Sequence, residues 1–367
     1  MAGIWDVALT PDGKFLASAS FDGTVRLWEP ESRASLAVLQ GHSGTIRTVA
    51  LAENARLIAS GNSGGMIRLW ELDGGTCRHI LPGHVGMVFS VALSADERML
   101  ASSGHDGMVR LWNTDTGELV GTLEGHVDAA TGVGWSANGQ LLASSGRDGT
   151  IRLWDPVRYV CIAVLQADRA GLRDMALLAD GRLLVSGSFD GVIRLWDVQR
   201  GHTLHARQEH TGLIWRVAIA ADSRRMASAG EDGTVRVWDT ASGNALAVLT
   251  GHTGAVYGVA LSGDGQRAVS GGHDGTVRVW NTESGVCQTI LERNGVVWNV
   301  ALSADGRLVV SGEHDGTVGM WDASTGELLR TLRPDRPYER MDITGLRGVT
   351  EAQRAALKAL GAVERGD

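Results

Sequence analysis

Apolar residues recur at every second position in short runs along most of the chain, and each run ends at a turn that contains glycine. Residues 256–261, for example, read VYGVAL, and residues 276–281 read TVRVWN after an Asp-Gly pair. Alternation with period two is typical of a β-strand with one buried face, and Asp-Gly between two such runs is typical of a hairpin turn. The pattern therefore predicts short antiparallel strands joined by tight turns.

One unit of this pattern repeats, and its tryptophans count the copies. Successive tryptophans lie 42 residues apart, except that the last follows after 41. Each unit holds four predicted strands, and four antiparallel strands repeated at this period are typical of a propeller blade. The sequence therefore predicts an all-β, eight-bladed propeller over residues 1–333, counted on Trp28, Trp70, Trp112, Trp154, Trp196, Trp238, Trp280 and Trp321.

The units share a Gly-His pair, a turn aspartate and a tryptophan that Asp often follows, and in this they resemble the WD-repeat family. The resemblance covers about nine-tenths of the chain. It implies that a histidine, a serine of the second strand, the turn aspartate and the tryptophan form one chain of hydrogen bonds. Four units carry the whole set, in the order His, Ser, Asp, Trp: His84, Ser102, Asp106, Trp112; His126, Ser144, Asp148, Trp154; His210, Ser228, Asp232, Trp238; His252, Ser270, Asp274, Trp280.

His, Ser and Asp are also the residues of a hydrolase triad. A triad occurs once in an enzyme and needs an oxyanion hole, whereas this set recurs at a fixed spacing and includes a tryptophan. A buried polar chain of this kind specifies geometry when every member has a partner. We therefore interpret the set as structural.

Four units depart from the pattern. Unit one begins too late to contain the histidine, unit two has Gly64 in place of the turn aspartate, and unit five has Asp168 in place of the histidine. Unit eight has lost a residue, reads ERNG at this place, and has Gly319 where the other units have an arginine two positions before the tryptophan. We expect these blades to be locally less stable, with faster amide exchange in blades two and five than in three and seven.

The chain opens on the innermost strand of blade one, IWDVALT, and the last blade supplies its own outer strand, ELLRTL. Each blade is therefore expected to be contiguous in sequence. Many WD-repeat proteins close the ring with one blade that mixes strands from both ends, and no such arrangement is expected here. Closure is instead expected to depend on packing of blade eight against blade one.

Residues 334–367 depart from the repeat. Thr350 and Gln353 form a capping-box pattern before a stretch of helix-forming residues, which predicts a helix at about 351–360. We hypothesise that Tyr338, Met341, Ile343 and Leu346 anchor this tail over the top face near the seam between blades one and eight; the alternative is a frayed tail or linker. The tail also resembles the end of WD-repeat regions in bacterial multidomain regulators, including signal-transducing ATPases, which implies a part of a longer chain.

Positions that differ between the blades are the ones that can encode specificity. One such position lies 23 residues before each blade tryptophan, and in the WD-repeat family it faces the top entrance of the channel, beside the residue before the turn aspartate. Aromatic and arginine side chains are enriched in binding hot spots. We therefore predict a partner-binding rim made of Trp5, Phe21, Arg47, Phe89, His105, Arg147, Arg173, Phe189, Trp215, Tyr257, His273, Trp298 and His314.

Composition narrows the cellular context. The net charge of −8 is spread along the chain, which argues against a nucleic-acid surface. No apolar run is long enough for a membrane span and no signal peptide is evident, so we expect a cytoplasmic protein. The three cysteines form no CxxC pair, and His273 with His314, or His202 with His205, would give only two metal ligands. No metal or cofactor is expected.

These observations favour a non-enzymatic scaffold or sensor, expected to be a monomeric propeller, that binds a protein or peptide on its top face. A first alternative is a metabolite sensor in the channel, as the sensor part of a larger signalling ATPase. A propeller enzyme would need paired acids around the channel, and Asp6, Asp174 and Glu231 are not paired in the sequence pattern. A structural homo-oligomer would need a uniform apolar patch, whereas the predicted outer strands are mixed.

Overall fold

The structure is a computed structural model that describes residues 3–30, 34–52, 56–72, 75–167, 170–293, 295–332, 343–344, 346, 349–359 and 364. The chain divides into two compact units, Met1–Thr331 and Leu332–Asp367. The first is a ring of eight four-stranded antiparallel sheets, and each sheet takes its four strands consecutively from the sequence. The predicted eight-bladed propeller with contiguous blades is therefore confirmed.

The strands of each blade run from the channel outwards in chain order. Those of blades one to four are β1 (Ile4–Leu9), β2 (Leu16–Ser20), β3 (Val25–Glu29), β4 (Ala34–Leu39); β5 (Ile46–Leu51), β6 (Leu57–Asn62), β7 (Met66–Glu71), β8 (Cys77–Pro82); β9 (Val88–Leu93), β10 (Met99–Gly104), β11 (Val109–Asn113), β12 (Leu119–Leu123); β13 (Ala130–Trp135), β14 (Leu142–Gly146), β15 (Thr150–Asp155) and β16 (Val160–Gln166).

Blades five to eight have the same layout. Their strands are β17 (Leu172–Leu177), β18 (Leu183–Ser188), β19 (Val192–Asp197), β20 (His202–Gln208); β21 (Ile214–Ile219), β22 (Arg225–Gly230), β23 (Val235–Asp239), β24 (Ala245–Leu249); β25 (Val256–Leu261), β26 (Arg267–Gly272), β27 (Thr276–Asn281), β28 (Cys287–Glu292); β29 (Val297–Leu302), β30 (Leu308–Glu313), β31 (Val318–Asp322) and β32 (Leu328–Leu332).

The core lies between neighbouring blades rather than at the centre of the ring. Between blades one and two, for example, Leu27 and Leu39 pack with Ile46, Ile58 and Trp70, and all five are at least 98 % buried. Middle strands are buried on both faces because each sheet is covered by the next, and this explains their nearly continuous apolar sequences. The tryptophan of one blade thus also packs against the preceding blade.

The ring closes by polar contacts as well as by packing. Asn299 of blade eight donates a side-chain hydrogen bond to the Asp6 carboxylate of blade one, and the same carboxylate accepts the Val49 amide of blade two at 2.9 Å. The Ala304 amide also donates to the Pro11 carbonyl at 3.1 Å. One carboxylate thereby connects three consecutive blades across the seam.

The second unit contains one described helix, α1 (Glu351–Ala359), which confirms the predicted helix. Its predicted capping box is present: the Gln353 amide donates to Thr350 Oγ1 at 3.2 Å, and Gln353 Oε1 accepts the Thr350 amide at 2.8 Å. Of the residues predicted to anchor the tail, Tyr338 and Met341 lie outside the described residues. Ile343 is buried and Leu346 is half-buried, and the anchoring itself stays a prediction.

Candidate functional site

Each inner strand carries a β-bulge next to the same end of the channel. In β1 the partner register jumps between Ile4 and Asp6, so that Trp5 is the extra residue. A bulge leaves one residue without a ladder partner and redirects its side chain. Trp5 and Asp6 consequently both line the channel, although adjacent strand residues normally point to opposite faces. The corresponding extra residues are Arg47, Phe89, Thr131, Arg173, Trp215, Tyr257 and Trp298.

Six of these bulge residues form a continuous series of ring and guanidinium contacts around the channel mouth, and we call them the entrance arc. The Arg47 guanidinium lies 3.8 Å from the Trp5 ring centroid, and Trp5 stacks on Trp298 with centroids 5.1 Å apart. Tyr257 follows at 4.8 Å from Trp298 and 5.1 Å from Trp215, and the Arg173 guanidinium lies 5.3 Å from the Trp215 ring. The arc runs through blades two, one, eight, seven, six and five in ring order.

A second group completes the entrance on the other side. The Arg147 guanidinium lies between two rings, 5.5 Å from Phe89 and 5.8 Å from Phe189, and His105 is 6.4 Å from Phe89. Phe21, His273 and His314 flank the entrance arc through contacts with Trp5, Tyr257 and Trp298 respectively. The thirteen predicted rim residues thus lie in the entrance arc, beside it or in the second group, whereas the eighth bulge residue, Thr131, is buried.

Below the entrance, a polar layer lines a cavity of about 350 Å³ in the channel. The Arg216 guanidinium lies between two carboxylates, 3.8 Å from Asp6 and 3.9 Å from Asp174. Asp174 accepts the Val217 amide at 2.9 Å, as Asp6 accepts that of Val49. Burial raises the pKa of Asp6, and the positive charge of Arg216 partly opposes this effect. The two aspartates look unrelated in the sequence, because nothing in the repeat shows that Arg216 joins them.

The predicted hydrogen-bonded chain is present in the four complete blades. In blade three the Trp112 indole donates to the Ser102 hydroxyl at 3.0 Å, that hydroxyl lies 2.8 Å from His84 Nε2, and His84 Nδ1 is 2.9 Å from Asp106. The serine accepts from tryptophan and donates to histidine, which leaves Nδ1 to donate to the carboxylate. The same contacts occur in blades four, six and seven.

Blades two and eight contain replacements that sequence analysis missed. In blade two the amide of Asn62 performs part of the work of the missing aspartate, since its Oδ1 accepts the Gly64 and Met66 amides at 3.0 and 2.8 Å. In blade eight Arg293 takes the place of the histidine and forms an ion pair with the buried Glu313 at 2.6 Å. The loss of the motif residues therefore does not leave these blades without polar cross-links.

Comparison with known proteins identifies the fold family. A family model described as WD domain, G-beta repeat matches eight segments, at residues 2–29, 33–71, 75–113, 117–155, 159–197, 201–239, 243–281 and 285–322. The chain belongs to the WD40 repeat family. WD40 propellers are typically protein-interaction scaffolds and are generally not enzymes.

A solved structure is similar over most of the chain. The computationally designed Ika8 protein, known from a crystal structure, is similar with a TM-score of 0.78 and 25 % sequence identity, over 88 % of this chain and 96 % of that one. A search of curated protein sequences found no match. Among the described residues no helix is long and apolar enough to cross a membrane, and no group of three or more His, Cys, Asp or Glu is placed to hold a metal ion.

Proposed function

We propose that this WD40 propeller is a non-catalytic module that binds a protein or peptide at the top entrance of its channel. The binding surface is the entrance arc together with the second group, Phe89, His105, Arg147 and Phe189. The observation that carries the proposal is the bulge in every inner strand, which brings varied aromatic and arginine side chains to one opening. The aromatic members of the arc are half-buried, so that each ring keeps a face or edge for a partner. Rigid aromatic and arginine side chains of this kind supply most of the free energy at protein interfaces.

The proposal extends to the domain organisation and the cellular location of the protein. Residues 1–333 are the proposed binding domain, and residues 334–367 are a separate tail. We propose a cytoplasmic, monomeric propeller that acts as a scaffold or as the sensor part of a longer bacterial signalling protein.

Panning of a random peptide library against the propeller tests the binding function. The key variant is Trp298→Ala with Tyr257→Ala, and the matched control is Tyr159→Ala, which removes a 42 % exposed aromatic side chain from the outer part of blade four. We expect the wild type and the control to enrich common peptides and the double variant to enrich none. Melting temperatures establish that each variant is folded.

A milder variant protects the test against a folding defect. Trp298→Phe with Tyr257→Phe keeps two rings in the arc, so it should retain part of the binding while altering the enriched peptides. Equal enrichment by the wild type and by the folded double alanine variant would contradict a binding role for the entrance arc.

The channel cavity favours a second candidate function, the sensing of a small polar molecule. The cavity of about 350 Å³ is lined by Asp6, Asp174, Arg216 and Asn299, and these groups offer both donors and acceptors. A metabolite screen by thermal shift, with Arg216→Met as the variant, tests this function. Stabilisation of the wild type that the variant lacks would support it, and the absence of any stabilising compound would count against it.

A further inference from the structure

Three arginines at the entrance are held by aromatic rings instead of by acids. Arg47 stacks on Trp5, Arg173 on Trp215, and Arg147 lies between two phenylalanines. Among the described residues none of the three has a carboxylate within 4 Å. A guanidinium that stacks through its face keeps its N–H donors at the edge, where they remain able to bind an anion.

Three arginines of the third strands differ from those at the entrance, because each of the three has an acid partner. Arg26 pairs with Asp22 at 3.3 Å, Arg110 with Asp106 at 2.8 Å, and Arg236 with Glu209 at 2.8 Å. Arg68 and Arg278 have no acid partner among the described residues and lie near the rings of Trp70 and Trp280 instead. The three arginines at the entrance likewise lack an acid, although the chain as a whole carries a net charge of −8.

The entrance arginines are close enough to repel one another. Burial lowers the pKa of Arg173, Asp174 partly opposes this effect, and the nearby charges of Arg216, Arg47 and Arg147 add to it, so that the pKa is about 10. Arg47, Arg173 and Arg216 line the same cavity. An anion placed among them would gain attraction from all three and relieve their repulsion in a poorly hydrated opening.

We propose that the entrance recognises an acidic peptide segment, whose carboxylate or phosphate group binds between Arg47 and Arg173 while a neighbouring apolar side chain packs on Tyr257 and Trp298. This inference rests on the proposed binding function and names the class of partner. The cationic ends of the entrance arc bind the acidic group of the ligand, and the aromatic middle of the arc contacts its apolar side chain.

A peptide fits better than a nucleic acid. Nucleic-acid binding depends on an extended basic surface that follows many phosphates. Here the basic groups converge on one opening, and exposed acids such as Asp128 and Glu231 lie on the surrounding loops. A polyanionic strand that continued beyond the opening would meet these acids.

Titration calorimetry with defined peptides tests the inference. The probes are an octapeptide with glutamates on both sides of a phenylalanine, its glutamine counterpart, a version with phosphoserine in place of one glutamate, and oligo-dT of ten nucleotides. We expect the glutamate or the phosphoserine peptide to bind at least about tenfold more tightly than the glutamine peptide, with affinity that falls as salt rises. Whichever of the two binds more tightly identifies the acidic group.

The variant Arg47→Gln with Arg173→Gln should lose the preference for the acidic peptides. Arg307→Gln is the matched control, since its side chain is 82 % exposed and its only ion-pair partner among the described residues is Asp305. Arg173→Lys keeps the charge but not the planar stack, so it should retain part of the preference. All variants are checked for an unchanged melting temperature.

The possible failures are distinguishable. If library panning enriches peptides but acidic and neutral peptides bind equally, the acidic inference is overturned and the binding function stands. If no peptide of any kind binds, both fall. Binding of oligo-dT more tightly than every peptide would also overturn the inference and point to single-stranded nucleic acid.

Discussion

Blades three and eight cross-link the same places with different chemistry. In blade three a neutral histidine, His84, joins the leading loop to Asp106 and, through Ser102, to the tryptophan. In blade eight Arg293 stands in place of the histidine and pairs with Glu313, which occupies the position of Gly104 two residues before the retained turn aspartate. Glu313 Oε1 also accepts the Ser311 hydroxyl at 2.9 Å. What the fold requires at this place is a buried polar link between loop and strands, and two residue sets supply it.

The departures of blade eight form one coordinated change. The Glu313 carboxylate occupies space beside the third strand. A Cβ atom at Gly319 would lie 2.7 Å from Ser311 Oγ and 3.0 Å from Glu313 Oε1. A side chain at this position would therefore require these neighbours to shift. Arg293 supplies the positive charge from the loop instead.

Removal of the Glu313 carboxylate should have the largest effect on stability. Arg293 is 11 % exposed, and Glu313→Ala would leave its charge buried without an acid. We expect the free energy of unfolding to fall by about 3–5 kcal/mol, measured by urea denaturation. The control is Glu327→Ala, which removes an exposed acid from the same blade. If both variants lose equally little, blade eight does not depend on the ion pair.

Removal of the histidine-bound carboxylate of blade three should lower the free energy of unfolding by less. Asp106→Asn keeps the shape of the side chain but weakens its bonds to His84 and Arg110, and Asp106 is less deeply buried than Glu313, at 12 % against 1 % side-chain exposure. We expect a loss of about 1–3 kcal/mol in the same urea assay. Asp115→Asn, at a 67 % exposed side chain, should change little. A larger loss than for Glu313→Ala would reverse the order of the two blades.

The two blades should also respond oppositely to acid. Burial lowers the pKa of His84, so its contribution is present above about 6.5 and is lost as the pH falls towards the folded value. Asp106, with its pKa lowered to about 2 by hydrogen bonds that outweigh burial, loses its contribution only below about pH 4. Burial raises the pKa of Glu313, and a raised carboxyl pKa favours the folded state as the pH falls.

Amide exchange at pH 7 and pH 5, corrected for the intrinsic rates, should therefore show protection falling in blade three and not in blade eight. His84→Gln is the control, because it should remove most of the pH dependence of blade three. A parallel loss of protection in both blades would indicate that these groups do not control local stability.

The repeat predicts the fold well because it is local. A tryptophan period of 42, Asp-Gly turns and alternating strands suffice to predict eight contiguous blades and the four complete hydrogen-bonded sets. The same logic identified the varied entrance positions. The alternating pattern predicts regular inner strands, however, and it does not reveal the bulge at Trp5. That both Trp5 and Asp6 line the channel was therefore not predicted.

Contacts between residues that are far apart in the sequence could not be predicted either. Arg293, in place of a histidine, and Glu313, in place of a glycine, look like two unrelated departures from the repeat until the register of blade eight is known. The bridge from Arg216 to Asp6 crosses the channel between blades that are not neighbours. Such compensation depends on three-dimensional proximity, and one sequence shows only the departure from the pattern and not its repair.

Blade two allows the prediction with the smallest expected effect on stability, because Asn62 replaces only part of the hydrogen bonds of the missing aspartate. His42 Nε2 lies 2.7 Å from Ser60, but His42 Nδ1 has no hydrogen-bond partner among the described residues, and burial lowers the pKa of His42 to about 4. The nearest atom to a Cβ placed on Gly64 is Asn62 Oδ1 at 3.6 Å, so a side chain fits. Gly64→Asp with Asn62→Gly would rebuild the set of blade three.

We expect the double variant to gain up to about 1 kcal/mol over Asn62→Gly alone, since one buried nitrogen acquires an acceptor. The new carboxylate should also raise the pKa of His42, which can be followed by NMR titration of the ring. Asn62→Gly alone should be destabilising, because the Gly64 and Met66 amides lose their acceptor. A double variant no more stable than this single one, with an unchanged His42 pKa, would mean that blade two has already adapted to the loss of its aspartate.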